Sequence, residues 1–373
     1  MFARRQILRQ TTAVAALLSM GSLARAVALR PSIDEDAPSL RAIARKSGIL
    51  FGCATNTFEL RDPAFVPVVT RDCAILAPEY EMKRGVTEPA RGHYDFSGAD
   101  ALVSFAATHG MEFRGHPLVW HKRNPPWLED AVRAAPDDSL LTGYIREAMA
   151  RYRGRIRSWD VVNEAIAPQD GRADNLRNTI WLARFGPSYI DIAYRAARAV
   201  DPNAMLVYND WGCEAGAPDN DRFRAATLRF LEAALKRGVP IDALGLQGHL
   251  GLSAPQVDQK KLRDFLAEVQ GMGLHILVTE HDVDDSGGPS DIAARDRLVA
   301  DASRRFLDVM LDNPATVSVL TWGLSDRYLD PPGWRERLLG YTPRMLPRDA
   351  EMRRKPMWSA IAAALGARSL SKA

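Results

Sequence analysis

Two segments of this 373-residue chain end an apolar run in carboxylic acids. SWDVVNEAI, residues 158–166, carries Asn163 and Glu164, and HILVTEHD, residues 275–282, carries Glu280 and Asp282. Leaving such a group beside an apolar core costs a few kcal/mol unless it faces water, another polar group or a ligand. Two carboxyls that face each other across a cavity can split a glycosidic bond. One attacks the anomeric carbon, while the other protonates the departing oxygen and afterwards activates water. Their environments must differ: the nucleophile is ionised, and the acid needs a pKa raised by burial or by a neighbouring negative charge. An Asn-Glu dipeptide alone says little, so the elements that position it decide its meaning.

Apolar runs recur eight times, as ILFGCAT, CAILAPE, MEFRGHPLVW, SWDVVNE, AMLVYND, ALGLQGH, HILVTEHD and SVLTWGLSD. Between them lie segments with helical spacing, such as Ile145, Ala148, Met149 and Tyr152 before Gly154, or Phe223, Thr227, Phe230, Leu231, Ala234 and Leu235 before Gly238. Runs that do not alternate with polar residues indicate strands covered on both faces. Eight of them alternating with helices predict a single-domain α/β fold, the (β/α)₈ TIM barrel, with an open doubly wound sheet as the competing arrangement. In the barrel, residues at the carboxyl ends of the strands line the mouth. Those endings supply Glu79 with Lys83, His116 with Trp120 and His121, Asn163 with Glu164, Asn209 with Asp210, Gln247 with His249, Glu280 with Asp282, and Trp322. Glu164 and Glu280 close the fourth and seventh runs, far enough apart on the ring to face each other over the mouth.

The first 26 residues read as a secretory leader: Arg4 and Arg5, an uncharged run from Thr11 to Ala24, then Ala24-Arg25-Ala26. The arginine pair followed by Ile7 and Leu8 resembles the twin-arginine type, so export to the periplasm or the medium is expected. The run is shorter than the roughly 20 apolar residues of a spanning helix. Arg4, Arg5, Arg9 and Arg25 take the formal charge of +3 to −1 for the remainder. A neutral chain without basic clusters argues against nucleic acid, and no later segment suits a bilayer. A lead-in over 27–38, a catalytic barrel over 39–367 and a tail over 368–373 complete the expected organisation, as a monomer. Of three cysteines, Cys53 and Cys73 fall at similar points of the first two strands, where contact is plausible and buried free thiols are the plainer expectation. Zinc is the competing chemistry for His249, Glu280, His281 and Asp282, but no close His-x-His or His-x-x-x-His pair anchors an ion. No phosphate-cradling glycine loop occurs either, so neither metal nor cofactor is expected.

From about Ser39 to Gly366 the chain resembles the endo-xylanases of glycoside hydrolase family 10. The likeness is carried in order by PEYEMKRGVTEPARGHYDF, RGHPLVWH, WDVVNEA, VYND, LGLQGHL, VTEHD, TWGLSD and RRKPMW. The resemblance implies Glu280 as nucleophile and Glu164 as acid/base in a retaining, endo-acting cleavage of β-1,4 bonds, with xylan as the polysaccharide partner. It further implies that Asn163 holds the 2-hydroxyl beside the reacting carbon, and that Glu79, Lys83, His116 and Gln247 bind sugar or orient the nucleophile. His249 would donate to Glu280 and be held by Asp282, with Asn209 behind them, and Trp120 and Trp322 would offer flat faces to the pyranose. His121, next to Trp120 on an extended strand, would point away from it and brace the site.

Several positions depart from the family pattern. Tyr80 and Arg84 replace an asparagine and a tryptophan, Asp330 falls where a second tryptophan is usual, and His281 stands in place of a leucine. Tyr80 is expected to stack on a sugar or shorten the groove, Arg84 to pair with an acidic uronate branch, Trp334 to substitute for the missing tryptophan, and His281 to alter the pH dependence of the nucleophile. A glucanase or mannanase of the same clan, and a non-catalytic polysaccharide-binding barrel, remain the alternatives.

Overall fold

The computed structural model describes residues 38–329 and 340–370, so the leader, Asp330 and Trp334 lie outside the described residues. Among the described residues nine strands run β1 (Leu50–Thr55), β2 (Ile75–Pro78), β3 (Glu112–Gly115), β4 (Ser158–Asn163), β5 (Met205–Asp210), β6 (Ala243–Leu246), β7 (His249–Gly251), β8 (His275–Asp284) and β9 (Thr316–Thr321). Eight are staves of a closed parallel ring. β1 to β6 pair in sequence, β6 pairs with β8, β8 with β9 and β9 with β1. β7 is a three-residue addition beyond β6 that sets His249 against Asp282 near the carboxyl end of β8. The architecture is the (β/α)₈ barrel expected from eight apolar runs.

Burial explains why the runs lack alternation. All six residues of β4 and five of six in both β1 and β5 are buried, because one face fills the ring and the other packs on helices. The helices start at chemically suitable residues: Ser39, Asp258 and Asp291 each accept hydrogen bonds from backbone N–H groups of the following first turn. The first described helix is tied to the segment before and within the last one through Asp72, whose Oδ2 accepts from Arg348 Nε at 3.1 Å and Trp358 Nε1 at 3.1 Å while Oδ1 accepts from Leu40 N at 3.3 Å. Cys53 and Cys73 do touch, Sγ to Sγ at 3.7 Å, but as buried free thiols. Among the described residues no helix is long and apolar enough to cross a membrane.

The ring is tight at its glycines. A Cβ on Gly52 of β1 would stand 1.8 Å from the Ile75 carbonyl oxygen of β2, an atom that cannot move without breaking the ladder. Gly52→Ala should therefore lower the unfolding free energy by about 3 kcal/mol, in the upper range for overpacking. Urea titration of parent and variant reads this directly, and coincident midpoints would contradict the close approach.

Candidate active site

Glu280 ends the straight part of β8 and is 5% exposed. Its Oε1 accepts from Asn209 Nδ2 at 2.8 Å, and its Oε2 lies 3.2 Å from His249 Nε2. His249 is held from behind by Asp282 Oδ1, 2.8 Å from Nδ1, and His116 Nδ1 lies 3.9 Å from Oε1 while contacting Asp160 Oδ2 at 2.8 Å. Burial alone would raise the Glu280 pKa, but the His249 hydrogen bond, the His116 and His249 rings and the Asn209 amide outweigh it and bring it to about 2. Burial likewise opposes a charge on His249, and Asp282 and Glu280 overcome it, holding this ring well above the ordinary histidine value. The result is a carboxylate kept ionised in a nearly closed setting.

Glu164, 6% exposed, follows β4 with φ at +56°, a left-handed conformation unusual for a residue with a Cβ and costing about 1 kcal/mol or more. Its N–H donates to the Asn209 carbonyl at 2.9 Å, and Arg177 clamps the turn by donating to the carbonyls of Glu164 at 2.6 Å and Ile166 at 3.2 Å. Gln247 Nε2 donates to Oε1 at 3.2 Å. Oε2 accepts no hydrogen bond among the described residues, and His121 Nδ1 and Lys122 Nζ each stand 3.8 Å from it. One oxygen is thus oriented by a donor, and the other is buried without one. His121 faces this carboxyl and keeps its ring 5.8 Å from that of Trp120 instead of pointing away from it, because the chain has left strand geometry at the Trp120–His121 step. Burial, then the charge of Arg177, push its pKa down to about 4.

Asn163 lies between Trp120 Nε1 at 3.2 Å and the Asn209 carbonyl at 3.1 Å, and an amide oxygen turned to the indole satisfies both. Thr279 Oγ1 donates to Asn209 Oδ1 at 2.7 Å. This crowding needs Gly245, where a Cβ would sit 2.4 Å from that oxygen. Aromatic surfaces complete the mouth. The Trp322 ring lies 5.3 Å from His116 and 6.4 Å from His249, and Lys83 Nζ stands 5.2 Å from the Trp120 ring and 5.7 Å from Trp322. Burial lowers the Lys83 pKa, with Glu280 and Glu79 opposing. Glu79, whose Oε2 accepts from Asn56 Nδ2 at 2.5 Å, shares a cavity of about 120 Å³ with Asp282 and Trp322. All thirteen expected residues therefore meet at one end of the barrel.

Two departures behave otherwise than expected. Arg84 is buried; its Nε donates to Glu88 at 2.9 Å, its Nη2 donates to the Leu140 carbonyl at 3.0 Å, and its guanidinium lies 4.4 Å from the Tyr144 ring, so it is satisfied within the protein and is not the partner of a uronate. His281 is fully buried on the outer face of β8, with Nδ1 2.8 Å from the Gly248 carbonyl and Nε2 2.8 Å from Ser303 Oγ. Strand alternation turns it away from the carboxylate of Glu280. Tyr80 does stand at the rim, 48% exposed.

Sequence reasoning passed over Asp160, Arg114 and Arg177. Asp160 pairs with Arg114 and with His116 inside the ring, and a lone acid within an otherwise apolar run was its available signal. Arg177, in a loop among ordinary polar residues, offered none. Among the described residues no group of three His, Cys, Asp or Glu side chains is placed to hold a metal ion.

A parallel (β/α)₈ barrel with two glutamates, their amide and imidazole partners, and tryptophan faces at the carboxyl ends of its strands has the makings of a carbohydrate-active barrel. The chain belongs to glycosyl hydrolase family 10, whose profile matches residues 39–364. It is 32% identical to endo-1,4-beta-xylanase B of Thermotoga neapolitana over 306 residues, covering 81% of this chain and 85% of that protein. Endo-1,4-beta-xylanase C of Phanerodontia chrysosporium is 32% identical over 342 residues, 88% of this chain and 79% of its own. Xylanase 10B from Thermotoga petrophila RKU-1, solved in complex with xylobiose, aligns with a TM-score of 0.78 at 30% identity, covering 89% of this chain and 98% of that one.

His281 generates a stability prediction. Burial brings its folded pKa down to about 4, below the ordinary value of about 6.5, so the unfolded chain takes up the proton first. His281 is neutral to stability above about pH 6.5 and destabilises the fold progressively as pH falls toward 4. Between pH 7 and pH 4.5, His281→Leu should lose less unfolding free energy than the parent, by about 2 to 3 kcal/mol. Parallel pH dependences in urea unfolding would show that the ring does not titrate this way.

Proposed function

We propose that the protein is a retaining endo-1,4-β-xylanase, with Glu280 as nucleophile and Glu164 as acid/base. The observation that carries the assignment is the contrast between the two carboxyls. Glu280 is ringed by donors that keep it ionised, whereas Glu164 keeps one oxygen without a donor. In the first step a Glu280 oxygen bonds to the anomeric carbon as the glycosidic C–O bond breaks, and the Glu164 proton passes to the departing oxygen. In the second, Glu164 removes a proton from water, whose oxygen replaces Glu280 at the same carbon. Two inversions retain configuration.

The remaining residues support that sequence. Asn163 holds the sugar 2-hydroxyl in this reading, a contact that strengthens as positive charge develops at the ring. Lys83, His116 and Gln247 bind the reacting sugar or orient the carboxyls, and Trp120 and Trp322 cover its apolar faces. Glu79 anchors the sugar beyond. Xylan as substrate follows from the family and from relatives named as xylanases. A polymer of this kind meets its enzyme outside the cytoplasm, and the twin-arginine-like leader fits export.

Glu280→Ala and Glu164→Ala should each lower kcat on xylan about a thousandfold, a typical size for losing such a group. With an activated aryl xylobioside, azide should restore turnover in both. The Glu164 variant should release the β-glycosyl azide, with the nucleophile intact, and the Glu280 variant the α-azide, by direct displacement. NMR of the products distinguishes them. Reversed anomers would exchange the two roles, and near-parent rates in both variants would remove the assignment.

A further inference from the structure

Two cations stand at the rim of the mouth that the proposed chemistry does not employ. The Lys122 side chain is 60% exposed, with Nζ 3.8 Å from Glu164 Oε2 and 5.5 Å from the Trp120 ring. Arg123, also exposed, lies 6.0 Å from the Tyr80 ring, and Lys83 Nζ is 5.9 Å from the same ring. Arg123 enters no ion pair among the described residues. The acid nearest Lys122 is Glu164 itself, which must give up and regain a proton and is not a standing counter-ion. The ring Arg123 lies over is that of Tyr80, and its charge adds a little to the lowering of the Lys83 pKa that burial causes.

The placement is built into the backbone. Arg123 has φ at +55°, its carbonyl accepts from Gly85 N at 2.8 Å, and Asn124 Nδ2 donates to the Trp120 carbonyl at 3.1 Å. A Cβ on Gly85 would stand 2.7 Å from the Arg123 carbonyl oxygen, so the loop can dock here only against glycine. A left-handed arginine is disfavoured unless the surroundings impose it. The consequence is that the backbone delivers two exposed positive side chains beside two aromatic rings, Trp120 and Tyr80, which suit sugar faces.

A neutral xylose backbone needs the rings but not the cations. We infer that Lys122 and Arg123 form a subsite for a carboxylate carried as a branch on the sugar lying over Tyr80, next to the reacting one, so that the favoured polymer is an acidic, uronate-substituted xylan. This rests on the xylanase reading above. A guanidinium offers two parallel donors to a carboxylate, and the neighbouring ammonium adds a point charge. Buried Arg84 has no part in it, its guanidinium being matched to Glu88.

The test compares kcat/KM on a glucuronosylated xylan with that on the same polymer after its carboxyls are reduced to alcohols, using debranched xylan as a third substrate. Reading the ratio cancels any effect of Lys122 on Glu164. The parent should prefer the acidic polymer. That ratio should fall about three- to tenfold in a Lys122→Gln, Arg123→Gln double variant, the scale of two exposed ion pairs, and should fall likewise when salt is raised from about 0.02 to about 0.5 M. A ratio unmoved by both changes overturns the acidic subsite while leaving the xylanase reading intact. A parent that cleaves none of the three polymers overturns both.

Discussion

The mouth of this barrel is organised around one buried negative charge. An ionised carboxylate that is 5% exposed cannot persist without partners, because desolvation would otherwise drive it to the neutral acid. Glu280 has three partner groups, and each is itself held. His249 leans on Asp282, Asn209 is fixed by Thr279, and His116 is tied to Asp160, which also binds Arg114. These residues come from β3, β4, β5, β7 and β8, or from segments directly following them. A single charge thus enforces agreement among half the staves of the ring. Glycine at position 245 belongs to the same constraint, since only its missing side chain lets the Asn209 amide sit where two strands need it.

Glu164 is fixed by a different means. Its turn is conformationally disfavoured and survives because the backbone is anchored at both ends, to Asn209 on one side and through Arg177 on the other. Side-chain donors surround Glu280 but reach only one oxygen of Glu164. The two carboxyls therefore differ in kind: one is an anion met by donors on both oxygens, the other a positioned group with one oxygen left without a donor. A stiff parallel barrel suits such a division, because strand ends in a closed ring vary little in position while the loops beyond them can change specificity.

Much of this was legible in the sequence, for physical reasons. Strands buried on both faces read as continuous apolar runs, so polar endings such as Asn163-Glu164 and Gln247-Gly248-His249 stood out against them. Side-chain direction was less accessible. Arg84 sits beside mouth residues in sequence yet turns inward to Glu88 and Tyr144, and His281 adjoins Glu280 yet points to Gly248 and Ser303. His121 erred the other way, because the chain bends after Trp120 and strand alternation no longer applies. Arg177 escaped notice since its task is to hold backbone carbonyls, and any arginine in a polar loop looks the same in a sequence. Nothing in the sequence marks Lys122 and Arg123; the left-handed turn and the aromatic rings beside them give the pair its setting.

The central claim is that the stabilised anion, Glu280, bonds to the sugar. A 2-deoxy-2-fluoro xylobioside with a good leaving group tests it most directly, because the fluorine slows breakdown of the glycosyl-enzyme more than the leaving group allows its formation to slow. Peptide mapping by mass spectrometry should then place one fluoroxylobiosyl group on Glu280, within HILVTEHD. A label on Glu164 or any other residue, or steady turnover with no adduct at any quench time, would contradict the account.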